Sequence, residues 1–385
     1  MKKFDFTIFA LVLFPLLFFC CTREHVNVAS SPVEVLVSIR GSQSTKVTDV
    51  VYSNESKVKS LQVFVFNGDE LEAHRSVENS LSTLIPATSG ERSVWAVTNA
   101  PDIFSVLQVS ESNPMTLAKL KAHTSDLKDN APDGFVMVGS VTQELVDGGN
   151  VQIEVKRLVS RVSIGKISAS LKDYREGYSV RINSLFLVNV AGSVSLDLPA
   201  ETALWYNRLT WSDNELDAIL SDDLSDADPA IIVKNNRYQK DGEDVAEHLA
   251  YVQEKLLFGQ YELADGVTMV EDNSYQKEHV FYPYPNGYGS DNASSDSYSE
   301  LWNPRGTILV IDATMIEADG VTEHPGYYPI VLPHLERNKT YSIDEVRITR
   351  LPGDVPYKPI ETGESQVTIT VSDWELGLNL GTVNI

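Results

Sequence analysis

From Val33 to Arg40 the side chains alternate with a period of two: Val33, Val35, Val37 and Ile39 on one face, Glu34, Leu36, Ser38 and Arg40 on the other. That period predicts a β-strand that buries one face. A polar stretch, Gly41 to Lys46, follows at once. Further along, Leu61, Val63 and Val65 alternate with Gln62, Phe64 and Phe66, so both faces are apolar and the strand is expected inside a sheet. Asn67-Gly68-Asp69 then predicts a hairpin, because Asn and Gly tolerate the positive φ of tight turns. Ser93–Thr98 reads as another strand, as do "GFVMVGSVTQELV" and "NVQIEVKR", which are separated by Asp147-Gly148-Gly149. One helix is expected over Pro114–Leu127. Asn113 would cap it, Pro114 suits its first turn, and Met115, Ala118, Leu120 and Leu127 form its apolar stripe.

The alternation restarts at Leu158. "LVSRVSIGKISASL" keeps a period of two through Val159, Val162, Ile164 and Ile167 with one slip, read as a bulge. "YSVRINSLFLVNV" follows. Leu196 to Glu300 is less regular and reads as long loops or insertions. Strands return in "TILVIDATM", "YYPIVLP", "KTYSIDEVRITRL" and "SQVTITVSDWEL". Short strands with little helix predict a mainly β chain of two β-sandwich domains. A length of 385 residues suits two domains. The boundary is placed at Arg157, giving 47–157 and 158–385. No repeat of the roughly 20- to 50-residue kind that marks solenoids and propellers is visible.

The start of the chain has a different character. Lys2 and Lys3 precede an apolar run, Phe6 to Phe19, shorter than the about 20 residues of a membrane span. Residues 1–20 therefore read as a secretory signal. The chain's 2 cysteines, Cys20 and Cys21, end that run. A bridge between neighbours is strained, and two thiolates alone do not make a structural zinc site. Their position resembles the lipobox of bacterial lipoproteins, although Phe18 and Phe19 stand where smaller residues are usual. A small residue before the cut favours cleavage after Cys20 and lipid on Cys21, with Cys20 as second choice. In the other reading an ordinary signal peptide discards both. Thr22–Ser31 would then be a polar tether. The formal net charge of -23 argues against nucleic acids and anionic membrane surfaces as partners, since both would repel the chain.

No chemical motif stands out. There is no Gly-x-Ser-x-Gly elbow, phosphate loop, dinucleotide fingerprint or His-Glu-x-x-His. The 7 histidines are scattered, His74, His123, His248 and His324 among them. No catalysis and no cofactor are expected. Asp222, Asp223, Asp226 and Asp228 lack calcium-loop spacing and read as a solvated acidic loop. Tyr282 to Tyr298 reads either as a carbohydrate or adhesion surface or as a loop whose aromatics are pinned to the body.

A resemblance joins these segments. "ESKVKSLQVFVFNGDELEAHRSVENS", Glu55 to Ser80, is similar to the start of the N-terminal domain of the major fimbrial subunit family of Bacteroidales, the type V pilins related to FimA of Porphyromonas. "SGERSVWAVTNAP" resembles the family's next core strand, "VKRLVSRVSI" its interdomain strand, and "TVSDWEL" its C-terminal block. The resemblance implies two transthyretin-like β-sandwich domains and export to the outer membrane as a lipoprotein. It also implies a protease cut that removes the first strand, with strand exchange between subunits into a surface fimbrium that supports adhesion. The removable strand is then Val33, Val35, Val37 and Ile39, within residues 21–46. By family spacing the cut falls after Lys46; Arg40, which ends the strand, is the other candidate. "WELGLNLGTVNI" supplies a donor strand, with Leu376, Leu378 and Leu380 alternating and Val383 and Ile385 resuming after Gly381. The expected partners are other fimbrial subunits, the outer membrane through the lipid, the processing protease, and host proteins or glycans. The alternative is a monomeric glycan-binding outer-membrane lipoprotein.

Overall fold

The computed structural model describes residues 31–41, 55–131, 133–172, 175–197, 205–206, 208–209, 231–232, 239–240, 243–244, 260–270, 273–287, 306–353 and 369–373. The chain is mainly β. Its first half contributes β1 (Pro32–Gly41), β2 (Ser60–Asn67), β3 (Glu70–Glu78), β4 (Ser82–Thr88), β5 (Gly90–Thr98), β6 (Thr124–Asp126), β7 (Met137–Leu145) and β8 (Asn150–Arg157). Two short helices, α1 (Ile103–Val106) and α2 (Leu117–Ala122), lie between β5 and β6.

All but β6 form one sheet in the order β3-β2-β5-β7-β8-β1-β4. β7 and β8 are joined only through Met137–Arg157 and Val138–Lys156. Beyond that corner they separate, and the two arms of the sheet share a core. Val33, Val35, Val37 and Ile39 of β1 pack there with Leu61, Val63 and Val65 of β2, Val94 of β5, and Val151 and Ile153 of β8. The other face of β2, Phe64 and Phe66, joins a second core with Trp95, Phe135 and residues of the second half such as Val162 and Phe281. Burial on both faces makes β2 the interior strand its sequence predicts. The hairpin after it turns through Gly68 at φ 61°.

The corner depends on Gly139. A Cβ there would lie 2.0 Å from the Glu154 carbonyl oxygen. Backbone cannot yield like a flexible side chain, so Gly139→Ala is expected to cost about 1–3 kcal/mol. Urea unfolding reads this as a lowered midpoint; an unchanged midpoint would mean that β7 and β8 do not need this approach.

The second half opens with β9 (Arg161–Ile164), β10 (Ile167–Ala169) and β11 (Ser179–Val188). β11 lies between strands Gln260–Val270 and Ile308–Ile316, and the latter also pairs with Glu323–Val331. β9 runs antiparallel to His279–Phe281 and parallel to Lys339–Ile343. β10 runs antiparallel to Ser274–Tyr275 and parallel to Val346–Ile348. With β6 and the short strands between Val190 and Asp244 set aside, and with β9 and β10, Ser274–Tyr275 and His279–Phe281, and Lys339–Ile343 and Val346–Ile348 each counted as one broken strand, the two halves repeat one plan. In each, the first strand sits between the fourth, antiparallel, and the seventh, parallel. The second sits between the third and the fifth, and the sixth lies beyond the fifth. A further strand of the second half, Ile369–Asp373, runs antiparallel to Lys339–Ile343 on its outer side.

Three details depart from the sequence reading. The slip after Ile164 is a break between β9 and β10: Gly165 N–H donates to the Ile343 carbonyl and Val346 N–H to the Lys166 carbonyl, so the partner strand breaks in step. The expected Pro114–Leu127 helix is only Leu117–Ala122, capped by Thr116, whose hydroxyl accepts from Lys119 N–H at 3.1 Å. Asn113 instead donates to the Leu107 and Gln108 carbonyls, and Thr124–Asp126 leaves to pair with Ser193–Ser195. Met115, Leu120 and Leu127 are buried as the stripe predicted, whereas Ala118 is exposed. Gln260–Val270 was read as irregular because Leu263 to Gly266 fall between Glu262–Ser184 and Val267–Ile182, out of the ladder, with Gly266 at φ 65°.

Candidate functional site: the slot of the first strand

β1 is an interior strand at the start of the described chain. Seven residues, Pro32 to Ser38, pair antiparallel with β4. Six residues, Leu36 to Gly41, pair parallel with β8. Val35 and Val37 are fully buried, and Val33 and Ile39 nearly so. Even-numbered residues face β8: Leu36 N–H donates to the Gly149 carbonyl at 2.9 Å, and Gly148 N–H donates to the Glu34 carbonyl at 3.0 Å. Odd-numbered residues face β4, as when Ile39 N–H donates to the Leu81 carbonyl. Glu34 N–H donates to the Asp147 carboxylate at 3.1 Å, which ties the strand to the β7–β8 turn.

Taking β1 away would strip one edge from each of β4 and β8 and uncover a trough of β-branched side chains. Each such side chain is worth about 1.5–3 kcal/mol of burial, and each unmade buried backbone hydrogen bond costs about 1–3 kcal/mol. The vacated slot is therefore short of its filled state by at least on the order of 10 kcal/mol. A replacement strand supplies ladder bonds for affinity and alternate side chains for specificity.

Arg40 is exposed but sits in the parallel ladder, in register with Glu154. Lys46, Cys20, Cys21, the donor residues Leu376, Leu378, Leu380, Val383 and Ile385, and Asp222, Asp223, Asp226 and Asp228 lie outside the described residues. Among the described residues no group of His, Cys, Asp and Glu is arranged to hold a metal, and no helix is long and apolar enough to cross a membrane. Tyr282 and Tyr284 are buried and do not offer a face to a sugar.

Beyond β1 the described chain resumes at Glu55, which is 2% exposed beside the end of β8. The Arg157 side chain is fully buried; its Nε donates to the Glu55 carbonyl at 3.2 Å, and its backbone N–H donates to Asn338 Oδ1 at 3.3 Å. The Glu55 carboxylate accepts from the Tyr282 hydroxyl and lies 3.5 Å from Arg161 Nε, while Arg161 also reaches Glu278 at 3.1 Å. Burial pulls the Arg157 guanidinium down to about 9, offset in part by Glu55. Burial pulls Arg161 down too, but Glu55 and Glu278 more than compensate and leave it raised. The sequence showed these residues only as charges. Together they fasten residues 55–56 to both halves, independently of β1. Glu55→Ala takes the carboxylate from beside the buried Arg157 and from the half-buried Arg161, which keeps Glu278, and is expected to cost about 3 kcal/mol. The comparison is Glu55→Gln, which keeps an acceptor for Tyr282 and should retain part of that stability; equal unfolding midpoints for wild type and Glu55→Ala would deny the cluster this role.

This arrangement can be set beside known proteins. Residues 32–160, which span β1 to the end of the seven-stranded sheet, match the family model for the major fimbrial subunit protein (FimA). Over these residues the chain is similar to that family. A curated relative, the major fimbrium subunit FimA type-3 of Porphyromonas gingivalis, is 26% identical over 210 residues, covering 48% of this chain and 51% of the relative. The chain thus spans about half the length of the curated relative it matches. Two solved structures share the fold. A fimbrilin from Porphyromonas gingivalis W83 superposes with TM-score 0.58 and 16% identity, over 90% of this chain and 98% of the other. A proposed cell adhesion protein from Bacteroides eggerthii gives 0.60 and 14%, over 91% and 99%.

Proposed function

We propose that this FimA-like chain is a structural subunit of a surface fimbria that supports adhesion and has no catalytic role. The observation that carries the reading is the placement of β1. It is an interior strand paired on both sides, and two basic residues, Arg40 near its end and Lys46 beyond it, stand between its buried face and Glu55, where the described chain resumes. In this reading the chain is exported to the outer membrane as a lipoprotein held by Cys21. Residues 22–31 tether it, and a protease removes β1. The two halves, divided at Arg157, act as two β-sandwich domains. The residues after Asp373, with Leu376, Leu378, Leu380, Val383 and Ile385 as the alternating set, fill the slot of another subunit. Such head-to-tail contacts do not close and so build a filament.

Arg40 is held in the ladder with β8, and a protease needs its substrate extended and free. Lys46 is therefore the favoured cut, with Arg40 reachable only if β1 frays first. The monomeric glycan-binding alternative is weakened by the burial of Tyr282 and Tyr284.

Limited trypsin treatment of the chain from Thr22 tests this. The expected result is loss of β1 and the appearance of ladders that resist SDS. The same chain lacking Leu376 to Ile385 should be cut at the same place and remain monomeric. Monomer from both chains would overturn the reading.

A further inference from the structure

The repeated strand plan exposes a difference between the halves. β8 and Lys339–Ile343 hold equivalent places, each parallel to the first strand of its half. In the second half the outer side of Lys339–Ile343 is covered along its whole length by Ile369–Asp373. The sixth strand beside that opening is covered too: Tyr327 and Gly353 exchange backbone hydrogen bonds of 2.8 and 2.9 Å. The chain's own C-terminal part thus closes the seam between sixth and seventh strands.

In the first half the same seam is open among the described residues. β7 and β8 pair only at the corner, and Gly139 still abuts the Glu154 carbonyl. From there to the turn, Asn150–Ile153 has β1 on one side and no ladder partner on the other. Because Leu36 N–H reaches the Gly149 carbonyl, the parallel ladder turns residues 149 and 151 of β8 toward β1 and 150 and 152 outward. The N–H and C=O groups of Asn150 and Gln152 therefore face the seam. Natural sheet edges are usually blunted by charge, proline or a bulge; Asn-Val-Gln-Ile has none of these and pairs with β1 without a register shift. Val146, 56% exposed, stands in the turn at the mouth of the seam.

We propose that the outer edge of β8 at Asn150–Ile153 is a second strand-docking site, which takes the segment after Asp373 of another copy of this chain, antiparallel to β8, while β1 is still in place. The choice of occupant rests on the polymer reading. It is further argued from the second half, where the strand immediately before that segment already covers the equivalent edge in the antiparallel sense, and from length. Twelve residues, 374–385, follow the last described strand, about 40 Å if extended, more than enough to span this edge. β8 would then be flanked by its placeholder on one side and the incoming strand on the other, so that the donor is at hand when the slot is vacated.

The test uses the uncleaved chain from Thr22 and a synthetic peptide of residues 374–385, with amide hydrogen exchange as readout. Saturating peptide is expected to slow exchange at the Asn150 and Gln152 amides at least tenfold and to leave the β1 amides unchanged. Gln152→Pro removes the outward N–H while sparing the ladder to β1, and should abolish this protection. Protection at the seam without SDS-resistant ladders after trypsin would support the site and defeat the filament reading. Ladders with no protection at Asn150 and Gln152 in the uncleaved wild type would overturn the site and leave the filament reading standing.

Discussion

Val35→Asp is expected to lower the unfolding free energy of the uncleaved protein by more than about 4 kcal/mol. Val35 is fully buried, pairs with Ile85 in β4, and packs in the core shared by the two arms of the sheet. A carboxylate there has no cation to meet. The buried side chains around it in that core are all apolar, and Arg92 and Lys59 are already paired with Glu72 and Asp133. The substitution either buries an unpaired charge or forces β1 out of its slot. The second consequence separates this account from ordinary core damage. If β1 is a placeholder, the harm disappears once β1 is gone. The trypsin-cleaved variant should form ladders as well as the cleaved wild type, and sooner, because the strand is already half released. Urea unfolding before cleavage and ladder formation after it read the two halves of the prediction. A variant that remains monomeric after cleavage would show that β1 belongs to the working fold.

Much of this was legible in the sequence where one strand has one simple period. Val33 to Ile39 showed its buried face, the double apolar pattern of Leu61 to Phe66 marked an interior strand, and Asn67-Gly68 marked the turn after it. The reading failed where neighbours decide. Gly165 and Lys166 look like a slip in one strand, yet the partner strand breaks at the same level and makes two. Pro114 to Leu127 has a helical stripe, but Thr124–Asp126 gains more by pairing with a segment almost seventy residues away. Leu263 to Gly266 leave the ladder and erase the alternation that would have announced a strand. The Glu55, Arg157, Arg161 and Tyr282 cluster was illegible for another reason: its members lie up to 227 residues apart, and locally each is a single polar residue. The repeated plan of the two halves is likewise a property of pairing order and leaves no repeated residues to find. Of the candidate site, the sequence showed the strand from Val33 to Ile39 with Arg40 next to it. Its two flanking partners, β4 and β8, and the open seam beyond β8 required the structure.

The central claim is that β1 must leave before subunits can lock together in SDS-resistant ladders, and a reversible lock tests it most directly. Leu36 and Leu84 are directly opposed on β1 and β4. Because Leu36 N–H points to β8, this is a non-hydrogen-bonded pair, whose Cα atoms lie about 4.5 Å apart, within disulfide reach. Both side chains are partly exposed, 38% and 47%, so cysteines there cost little packing. The chain from Thr22 onward has no other cysteine. The double variant Leu36→Cys, Leu84→Cys should be oxidised, treated with trypsin, and examined in SDS with and without reductant added before assembly. The account predicts monomer while the bond is intact and ladders once it is reduced. Ladders of equal extent from the oxidised protein would contradict it, because SDS-resistant joints would then be forming with β1 still in its slot.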